Sequence, residues 1–307
     1  MSFAGKVREE LLEQNGKSKH CQLAELAALF AICGQVVMED EGNYIVKFMT
    51  ENLTVLRKCY MLVRKALRIQ PDISIRGNHQ YILYVFDEEE ALSLLKALCV
   101  FDGDLLVAER MIDKQCCKRA FLRGLFMASG SVTDPNSGYH MELVAGNYNR
   151  ALKIQELIQV FSLEAKIVER KKNYIVYLKD GSAIVDFLNI IGAHVALMEF
   201  ENVRILKEMR NSINRQVNCE TANIKKTVSA AARQTADIQY IYSTIGFGNL
   251  TENLAEIAKL RLAPPEVPLK ELGEMLNPPI GKSGVNHRLR KLSEMAESLR
   301  KKDEQIK

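Results

Sequence analysis

An internal repeat is the feature of this 307-residue sequence that most restricts its fold. Residues 26–34 (LAALFAICG) resemble residues 122–130 (LRGLFMASG), which lie 96 positions further along the chain. The pattern after each copy also repeats: two strands, a helix opened by Asn52 or Asn147, two more strands and a final helix. The repeat therefore predicts an α+β fold of two α-β-β-α-β-β-α halves that pair about a pseudo-twofold axis.

Local patterns place the strands and helices of the two halves. Strands are predicted from β-branched and aromatic content, and helices from apolar residues that recur every three or four positions. The predicted segments are strand pairs within 36–49 and 131–145, closing strands at 81–85 and 174–178, and final helices at 88–98 and 182–191.

Each repeated nonapeptide predicts an apolar helix that ends at a glycine. Gly34 and Gly130 are expected to adopt the left-handed conformation that often caps a helix. Ala28 and Gly124 occupy the same position in the two copies, and both are small. Because small residues let two helix backbones approach closely, the two helices are predicted to cross at this position.

The nonapeptides resemble degenerate LAGLIDADG motifs of the homing endonucleases. In that family an acidic residue stands second from the end of each motif, and the two acids hold magnesium against the scissile phosphate. In this sequence Cys33 and Ser129 stand there, and neither supplies the anionic oxygen that magnesium prefers. The resemblance thus implies the saddle-shaped fold without catalytic residues. A residual nuclease would have to use the nearby acids Glu39, Asp40 and Asp134 instead.

Positive charge is concentrated in the C-terminal third of the chain. The net charge of the whole chain is +4, but residues 201–307 carry +5 and the first 200 residues carry −1. The excess lies mainly in 202–235 and 281–293, and the second stretch contains no acid. Localised charge of this kind predicts a polyanion as partner, whereas a solvated basic surface is the alternative. The nearly neutral first 200 residues are expected to bind a protein or small ligand, or to support DNA binding weakly.

Proline and apolar patterns near the C-terminus predict three helices. They are residues 254–262, 269–276, and 283 to about 299. Pro268 is placed in the first turn of the second helix, and Ser283 at the N-cap of the third. The second and third helices form a predicted helix-turn-helix, although the connection at 277–282 is longer than the usual turn.

The third of these helices has an apolar side and a basic side. At about 100° per residue, Val285, Leu289 and Leu292 share the side that packs on the preceding helix. Lys282, Ser283 and the N–H groups at the helix start suit a DNA phosphate. The opposite side carries side chains that can read base edges in the major groove, namely Asn286, His287, Arg290 and Lys291, flanked by Arg288.

The C-terminal segments resemble those of the bacterial WhiA family. The resemblance is carried by KELG at 270–273, KSGVNHRLRK at 282–291, NRQVN at 214–218 and ANIKK at 222–226. It implies a non-enzymatic, sequence-specific regulator of transcription that binds double-stranded DNA at the nucleoid, in the bacterial cytoplasm. It also implies a role in sporulation in some lineages and in cell division and chromosome segregation in others. Another regulatory or cell-division protein is a candidate for a further partner. A residual metal-dependent nuclease and a protein-interaction adaptor remain as alternatives.

Four parts are predicted along the chain. They are two LAGLIDADG-like halves at 1–105 and 106–200, a basic helical connection at 201–235, and a helix-turn-helix domain at 236–307. In the connection, Arg215, Lys225 and Lys226 are candidates for further phosphate contacts or for bridging to the first domain.

No metal, cofactor or membrane partner is expected from the sequence. The seven cysteines form no C-x-x-C pair, and the adjacent Cys116 and Cys117 are poorly spaced to bind one zinc ion together. The five histidines show no H-E-x-x-H or similar spacing. Because no export signal is seen, free thiols in a reducing cytoplasm are the simplest interpretation. No apolar run approaches the ~20 residues that a membrane span needs.

Overall fold

The computed structural model contains two compact units, Met1–Glu208 and Met209–Lys307. The residues that it describes are 1–14, 16, 18–38, 44–77, 80–99, 111–263 and 267–306. Within them, no helix is both long and apolar enough to cross a membrane.

The first half of the first unit is built around an antiparallel sheet of four strands. Its elements are α1 (Phe3–Glu13), α2 (Lys19–Cys33), β1 (Gly34–Met38), β2 (Tyr44–Thr50), α3 (Leu53–Leu67), β3 (Asp72–Arg76), β4 (Gln80–Val85) and α4 (Glu88–Ala97). The strand order is β1-β2-β4-β3. The predicted order is confirmed, and Asn52 caps α3 by accepting from the backbone N–H groups of Thr54 and Val55.

The second half repeats this arrangement. Its elements are α5 (Gln115–Ser129), β5 (Gly130–Val132), β6 (Met141–Val144), α6 (Tyr148–Gln159), β7 (Lys166–Arg170), β8 (Asn173–Leu178) and α7 (Gly181–Ile191). The strand order is β5-β6-β8-β7, and Asn147 caps α6 by accepting from the N–H of Arg150. Helix α1 was not predicted; it buries Phe3, Val7 and Leu11 in the core shared by both halves.

The two nonapeptide helices, α2 and α5, cross where the small residues stand. A Cβ atom added at Gly124 would lie 2.4 Å from the carbonyl oxygen of Glu25 and 2.8 Å from the Cβ of Ala28. One turn earlier, the fully buried Ala24 and Ala120 belong to the same small cluster. The predicted crossing is confirmed, and Gly124 is required there because any side chain would push the backbones apart.

The predicted left-handed glycine caps are wrong. Gly34 and Gly130 have φ values of −81° and −80° and lead directly into β1 and β5. Their role is close approach instead: an added Cβ would lie 2.4 Å from the carbonyl oxygen of Phe30 at the first and 2.6 Å from that of Phe126 at the second. Glycine lets the chain turn from helix to strand against the last helical turn without a clash.

A buried cluster of three charges joins the two halves. Glu25 is fully buried, and its carboxylate lies 3.1 Å from Lys58 and 3.1 Å from Arg123. Lys58 also donates to the carbonyl oxygen of Leu11 at 2.8 Å, near the end of α1, and Arg123 donates to that of Ile191 at 2.7 Å, at the end of α7. The two cations therefore satisfy helix-end carbonyls and also form ion pairs with the buried carboxylate.

The second unit is helical. It contains the C-terminal part of α8 (His194–Ile245), a short 3-10 turn (Phe247–Asn249), α9 (Glu252–Leu262), α10 (Leu269–Glu274) and α11 (Lys282–Ile306). Its core combines buried side chains from these four helices and from the turn after α10: Ile238, Ile241, Ile257, Ala258, Leu272, Leu276, Val285, Leu289, Leu292 and Ala296. Gly273 lets the loop before α11 pack closely, since an added Cβ would lie 2.2 Å from the carbonyl oxygen of Ile280.

Three details of the predicted helix-turn-helix are corrected by the structure. Pro268 is the N-cap of α10 rather than a residue of its first turn. Helix α11 begins at Lys282, and Gly281 accepts from the N–H groups of Gly284 and Val285, so Ser283 lies inside the first turn and is not the N-cap. The helix also continues to Ile306, beyond the expected end.

Candidate nucleic-acid interface

Helix α11 presents a buried apolar side and an exposed basic side. Val285, Leu289 and Leu292 are buried in the core of the second unit, as predicted. Their burial fixes the rotation of the helix and turns the opposite side outward. The exposed residues on that side are Asn286, His287, Arg290 and Lys291, with Arg288 partly buried at its edge.

A basic cavity of about 310 Å³ lies beside the start of α11. It is lined by Lys226 from α8, Lys270 from α10, and Lys282 and Asn286 from α11. Among the described residues that line it there is no aspartate or glutamate. The cavity therefore brings together cationic side chains from three helices, which suits an anionic group such as a phosphate.

Buried polar groups form another part of the cavity lining. Arg261 is almost fully buried and donates to the carbonyl oxygen of Val267 at 2.6 Å. Burial lowers the pKa of Arg261, although the guanidinium stays protonated at neutral pH. Within the described part of the chain, Nε of Arg261 and Oε1 of Gln234 have no hydrogen-bond partner. Both residues line the cavity, but these two atoms are themselves buried, so the exposed lysines supply the polar groups that a ligand can reach.

Arg290 has an acidic neighbour that the sequence stretch 281–293 does not include. Its Nε donates to Glu294 one helical turn away at 2.9 Å, and both side chains are exposed. A second groove, of about 510 Å³, contains Asn286 and Arg290 together with the acids Asp237, Glu294 and Glu297. The charge of Arg290 is thus partly compensated in the free protein, and the exposed pair is weak enough to exchange for another partner.

The structure places one of the three cations proposed in the helical connection in the basic cavity and the other two outside it. Lys226 lines the basic cavity with Lys282, whereas Arg215 and Lys225 are exposed on α8 and lie outside its lining. Lys270 lines the cavity but was not selected from the sequence. Its position just after Pro268, at the start of a helix near other cations, was the available signal.

The two degenerate motif positions carry no charge suited to a metal. Cys33 is buried, and burial raises the pKa of its thiol to about 11, so it is protonated at neutral pH. The hydroxyl of Ser129 donates to the carbonyl oxygen of Leu125 at 3.2 Å, within its own helix. Neither side chain supplies the anionic oxygen that magnesium prefers as a ligand.

Arginines lie against the ends of both motif helices. Arg8 of α1 donates to the carbonyl oxygens of Met127 and Gly130, at the end of α5. Arg150 of α6 donates to the carbonyl oxygen of Ala31 at 3.3 Å, near the end of α2. A guanidinium at each helix end satisfies free carbonyls and opposes the approach of a divalent cation.

Of the three acids considered as substitutes, Asp134 is the one that lies within the described residues, and its carboxylate is held in a turn. The carboxylate of Asp134 accepts from the backbone N–H of Asn136 at 2.8 Å and from its side chain at 3.0 Å. These hydrogen bonds hold the pKa of Asp134 below its usual value and tie it to a turn after β5. Glu39 and Asp40 lie outside the described residues.

Three family profiles match successive parts of this chain. The WhiA N-terminal LAGLIDADG-like domain matches residues 19–101, the WhiA LAGLIDADG-like domain 118–210, and the WhiA C-terminal HTH domain 213–296. Together they cover most of the sequence.

Full-length relatives and solved structures show the same similarity. The chain is 52% identical over 312 residues to the "Probable cell division protein WhiA" of Lachnoclostridium phytofermentans, covering 98% of this chain and 100% of the relative. It is similar to the crystal structure of full-length DUF199/WhiA from Thermatoga maritima, with a TM-score of 0.61, 25% identity, and coverage of 97% and 99%. The N-terminal LAGLIDADG domain of DUF199/WhiA matches with a TM-score of 0.50 and 21% identity, covering 62% of this chain and 90% of that structure.

Proposed function

Because this chain belongs to the WhiA family, we propose that it is a sequence-specific, non-enzymatic regulator that binds double-stranded DNA. The observation that carries the proposal is the basic surface of the second unit. The exposed side of α11 adjoins a cavity lined by Lys226, Lys270 and Lys282. Cations from three helices converge there without an acid in the described lining, which favours a polyanion over a solvated helix face.

In this proposal α11 enters the major groove and reads base edges. Asn286 can pair bidentately with adenine, and Arg290 with guanine once it leaves Glu294. His287, Arg288 and Lys291 lie on the same outward region or its edge and supply further donors. Because their backbone belongs to a helix fixed by the buried core, these side chains are held in one register against the bases.

The basic cavity holds the DNA backbone rather than a base. Lys282 and Ser283 are exposed in the first turn of α11, where N–H groups and the helix dipole also favour a phosphate. Lys226 and Lys270 surround the same space, and Arg215 and Lys225 extend the positive charge along α8. Phosphate contacts of this kind fix the orientation of the recognition helix without selecting a sequence.

The first unit keeps the nuclease-like fold and has lost the cleavage chemistry. Three observations support this assignment. Cys33 is protonated, the hydroxyl of Ser129 already donates to a backbone carbonyl, and an arginine lies at the end of each motif helix. We assign residues 1–105 and 106–200 to this scaffold, 201–235 to a connection, and 236–307 to DNA recognition. The nearly neutral scaffold suits a second partner, another regulatory or cell-division protein.

The cellular role follows from family membership. Curated relatives carry the name "Probable cell division protein WhiA". We therefore propose a role in cell division, with chromosome segregation or sporulation as lineage-dependent extensions, on nucleoid DNA in the bacterial cytoplasm.

Fluorescence anisotropy with two duplexes tests the proposal. One duplex comes from genome-wide mapping of the DNA bound by the protein, and the other is its scrambled counterpart. Arg290→Ala is expected to cost about 1–3 kcal/mol on the mapped duplex and to relax the preference between the two. Lys282→Ala is expected to weaken both duplexes alike and to reduce the salt slope by about 1.

Lys301→Ala is the matched control, because Lys301 is exposed on the same helix and pairs with Glu297 at 2.9 Å. It should leave both affinities unchanged. An equal loss on both duplexes for Arg290→Ala would remove that residue from base reading. Magnesium-dependent nicking by the purified protein would contradict the non-enzymatic assignment, and binding without salt dependence or sequence preference would favour the adaptor.

A further inference from the structure

Four soft-metal ligands meet at one end of the α2–α5 helix pair. They are His20, Cys21, Cys116 and Cys117, and one ligand atom from each lies within 4.8 Å of all the others. Nδ1 of His20 is 3.1 Å from Sγ of Cys117 and 3.3 Å from Sγ of Cys21. The sequence spacing argued against a zinc site, but the fold brings two separated dipeptides to the same point.

The internal repeat explains why these dipeptides meet. Cys21 and Cys117 are 96 positions apart, as are His20 and Cys116, which is the offset of the nonapeptides. Each pair occupies the second and third positions of its helix, α2 or α5. The pseudo-twofold relation therefore places two ligands from each half together, in the first turns of the helices. Cys33 and Ser129 end the same helices, about 20 Å away along the helix axis.

The separations are compatible with one tetrahedral ion. Zinc bonds of about 2.3 Å to sulfur and about 2.0 Å to nitrogen place neighbouring ligand atoms roughly 3.5–3.8 Å apart. The two histidine–thiol separations are slightly shorter than this, and the remaining pairs lie within 4.8 Å. The side chains of His20 and Cys116 are exposed and free to adjust toward this geometry, whereas Cys117 is buried.

Electrostatics at the cluster also favour a divalent cation. The three sulfur atoms lie within 4.8 Å of one another, and thiolates so close together repel one another. A zinc ion would offset that repulsion. Once formed, the group of three thiolates and one divalent cation has a charge of −1, which the N-terminal ends of both helices stabilise.

We propose that His20, Cys21, Cys116 and Cys117 form a structural zinc site that ties the two halves of the first unit together. Zinc(II) binds Nδ1 of His20 and the three sulfurs. Each thiol releases one proton to solvent as its metal–sulfur bond forms, and no electron is transferred. Such a closed Cys3His set is typical of structural zinc rather than catalytic zinc. The site is independent of DNA binding by the second unit.

Metal analysis of the tag-free, full-length protein tests this site. Purification under reducing conditions should give one zinc per chain. Replacement by cobalt(II) should give thiolate-to-cobalt charge-transfer absorption and the d–d spectrum of tetrahedral coordination. Chelation should lower the melting temperature of the first unit, since metal that binds only the folded state stabilises it.

Substitutions of the two exposed ligands, His20 and Cys116, test the site without disturbing the hydrophobic core. His20→Ala and Cys116→Ser should each weaken cobalt binding by more than about a hundredfold, which exceeds the usual effect of residues that only support a metal ligand. Cys219→Ser is the matched control, because Cys219 is an exposed free thiol in the second unit. It should bind cobalt like the unsubstituted protein.

Three results would each overturn the proposal. The first is folded, reduced protein that binds cobalt(II) without thiolate absorption. The second is cobalt absorption that survives both His20→Ala and Cys116→Ser. The third is peptide mapping of freshly isolated protein that finds Cys21 in a disulfide with Cys116 or Cys117, which would make the cluster a redox pair instead.

Discussion

At the scale of single residues, the thiol of Cys33 has a reactivity set by its burial. Its raised pKa, about 11, leaves the nucleophilic thiolate scarce at pH 8. We expect iodoacetamide at pH 8 to modify the exposed Cys219 rapidly and Cys33 slowly, as measured by mass spectrometry of tryptic peptides. Modification of Cys33 at the rate of Cys219 would contradict its burial.

The same shift has a consequence for stability in alkali. Above pH 9 the thiol of Cys33 ionises in the unfolded chain but stays protonated in the folded protein until about pH 11. The free energy of unfolding should therefore fall over this interval. Replacing Cys33 by alanine should flatten that part of the pH profile, and an unchanged slope would assign the alkaline loss to other groups.

Lys58 is a second residue whose role is set by burial. Lys58→Met removes one partner of the buried Glu25 and the donor to the carbonyl oxygen of Leu11. We expect it to reduce the free energy of unfolding by about 3–5 kcal/mol, measured by urea denaturation. Lys153→Met is the control, because Lys153 is exposed on α6, and it should change stability by no more than about 0.5 kcal/mol. Comparable losses for the two variants would show that the buried charge cluster does not contribute to the free energy of unfolding.

At the scale of helices and strands, the crossing of α2 and α5 depends on Gly124. Gly124→Ala places a Cβ 2.4 Å from the carbonyl oxygen of Glu25, so the helices must separate. We expect a loss of about 1–3 kcal/mol or more in the free energy of unfolding. Gly138→Ala is the matched control, since an added Cβ there meets nothing within 4 Å, and it should be nearly neutral.

The elements were predictable to the extent that they depend on local pattern and the repeat. Asn52 and Asn147 mark helix starts by their own chemistry, and both helices begin there. The conformation of Gly34 was not predictable, because its cause is the nearby carbonyl of Phe30 rather than a turn type. Likewise, Glu25 and Lys58 are distant in sequence, and only the packing of α2 on α3 brings them together.

The candidate site also combines features that the local sequence predicts with features that depend on the fold. The apolar period of α11 fixed which side is buried, and this placed Asn286 and His287 outward as predicted. The basic cavity depends on three helices, so Lys226 and Lys270 could not be assigned to one space before the structure. The pair between Arg290 and Glu294 was missed because the acid lies just beyond the basic stretch.

The proposed phosphate role of the cavity predicts coupling between α8 and α11. If Lys226 and Lys282 share one phosphate, the double alanine variant should lose less DNA affinity than the two single losses added together. We expect a coupling energy above about 0.5 kcal/mol in a double-mutant cycle measured by anisotropy. Lys225 paired with Lys282 is the control cycle, because Lys225 lies outside the cavity lining, and its effects should be additive. Equal coupling in both cycles would argue against a shared site.

At the scale of the whole molecule, the two units have separate hydrophobic cores. The core of the first unit includes Ala196 and Phe200 near the start of α8, whereas that of the second begins at Ile238 in the same helix. Between them, residues 208–229 of α8 are exposed without exception. A chain with two cores and an exposed helical stretch between them should not unfold as a single cooperative block.

Calorimetry of the full-length protein is therefore expected to resolve two unfolding transitions. Gly124→Ala should lower the transition of the first unit and leave the other in place. Leu289→Ala removes a buried side chain from the second core, at a cost of about 2–5 kcal/mol, and should lower only the other transition. DNA affinity should fall with Leu289→Ala and stay unchanged with Gly124→Ala, because the proposed recognition helix packs into the second core. If both substitutions shift one shared transition, the two cores unfold together through α8. Destabilising the first unit should then also lower DNA affinity, because the recognition helix would unfold with it.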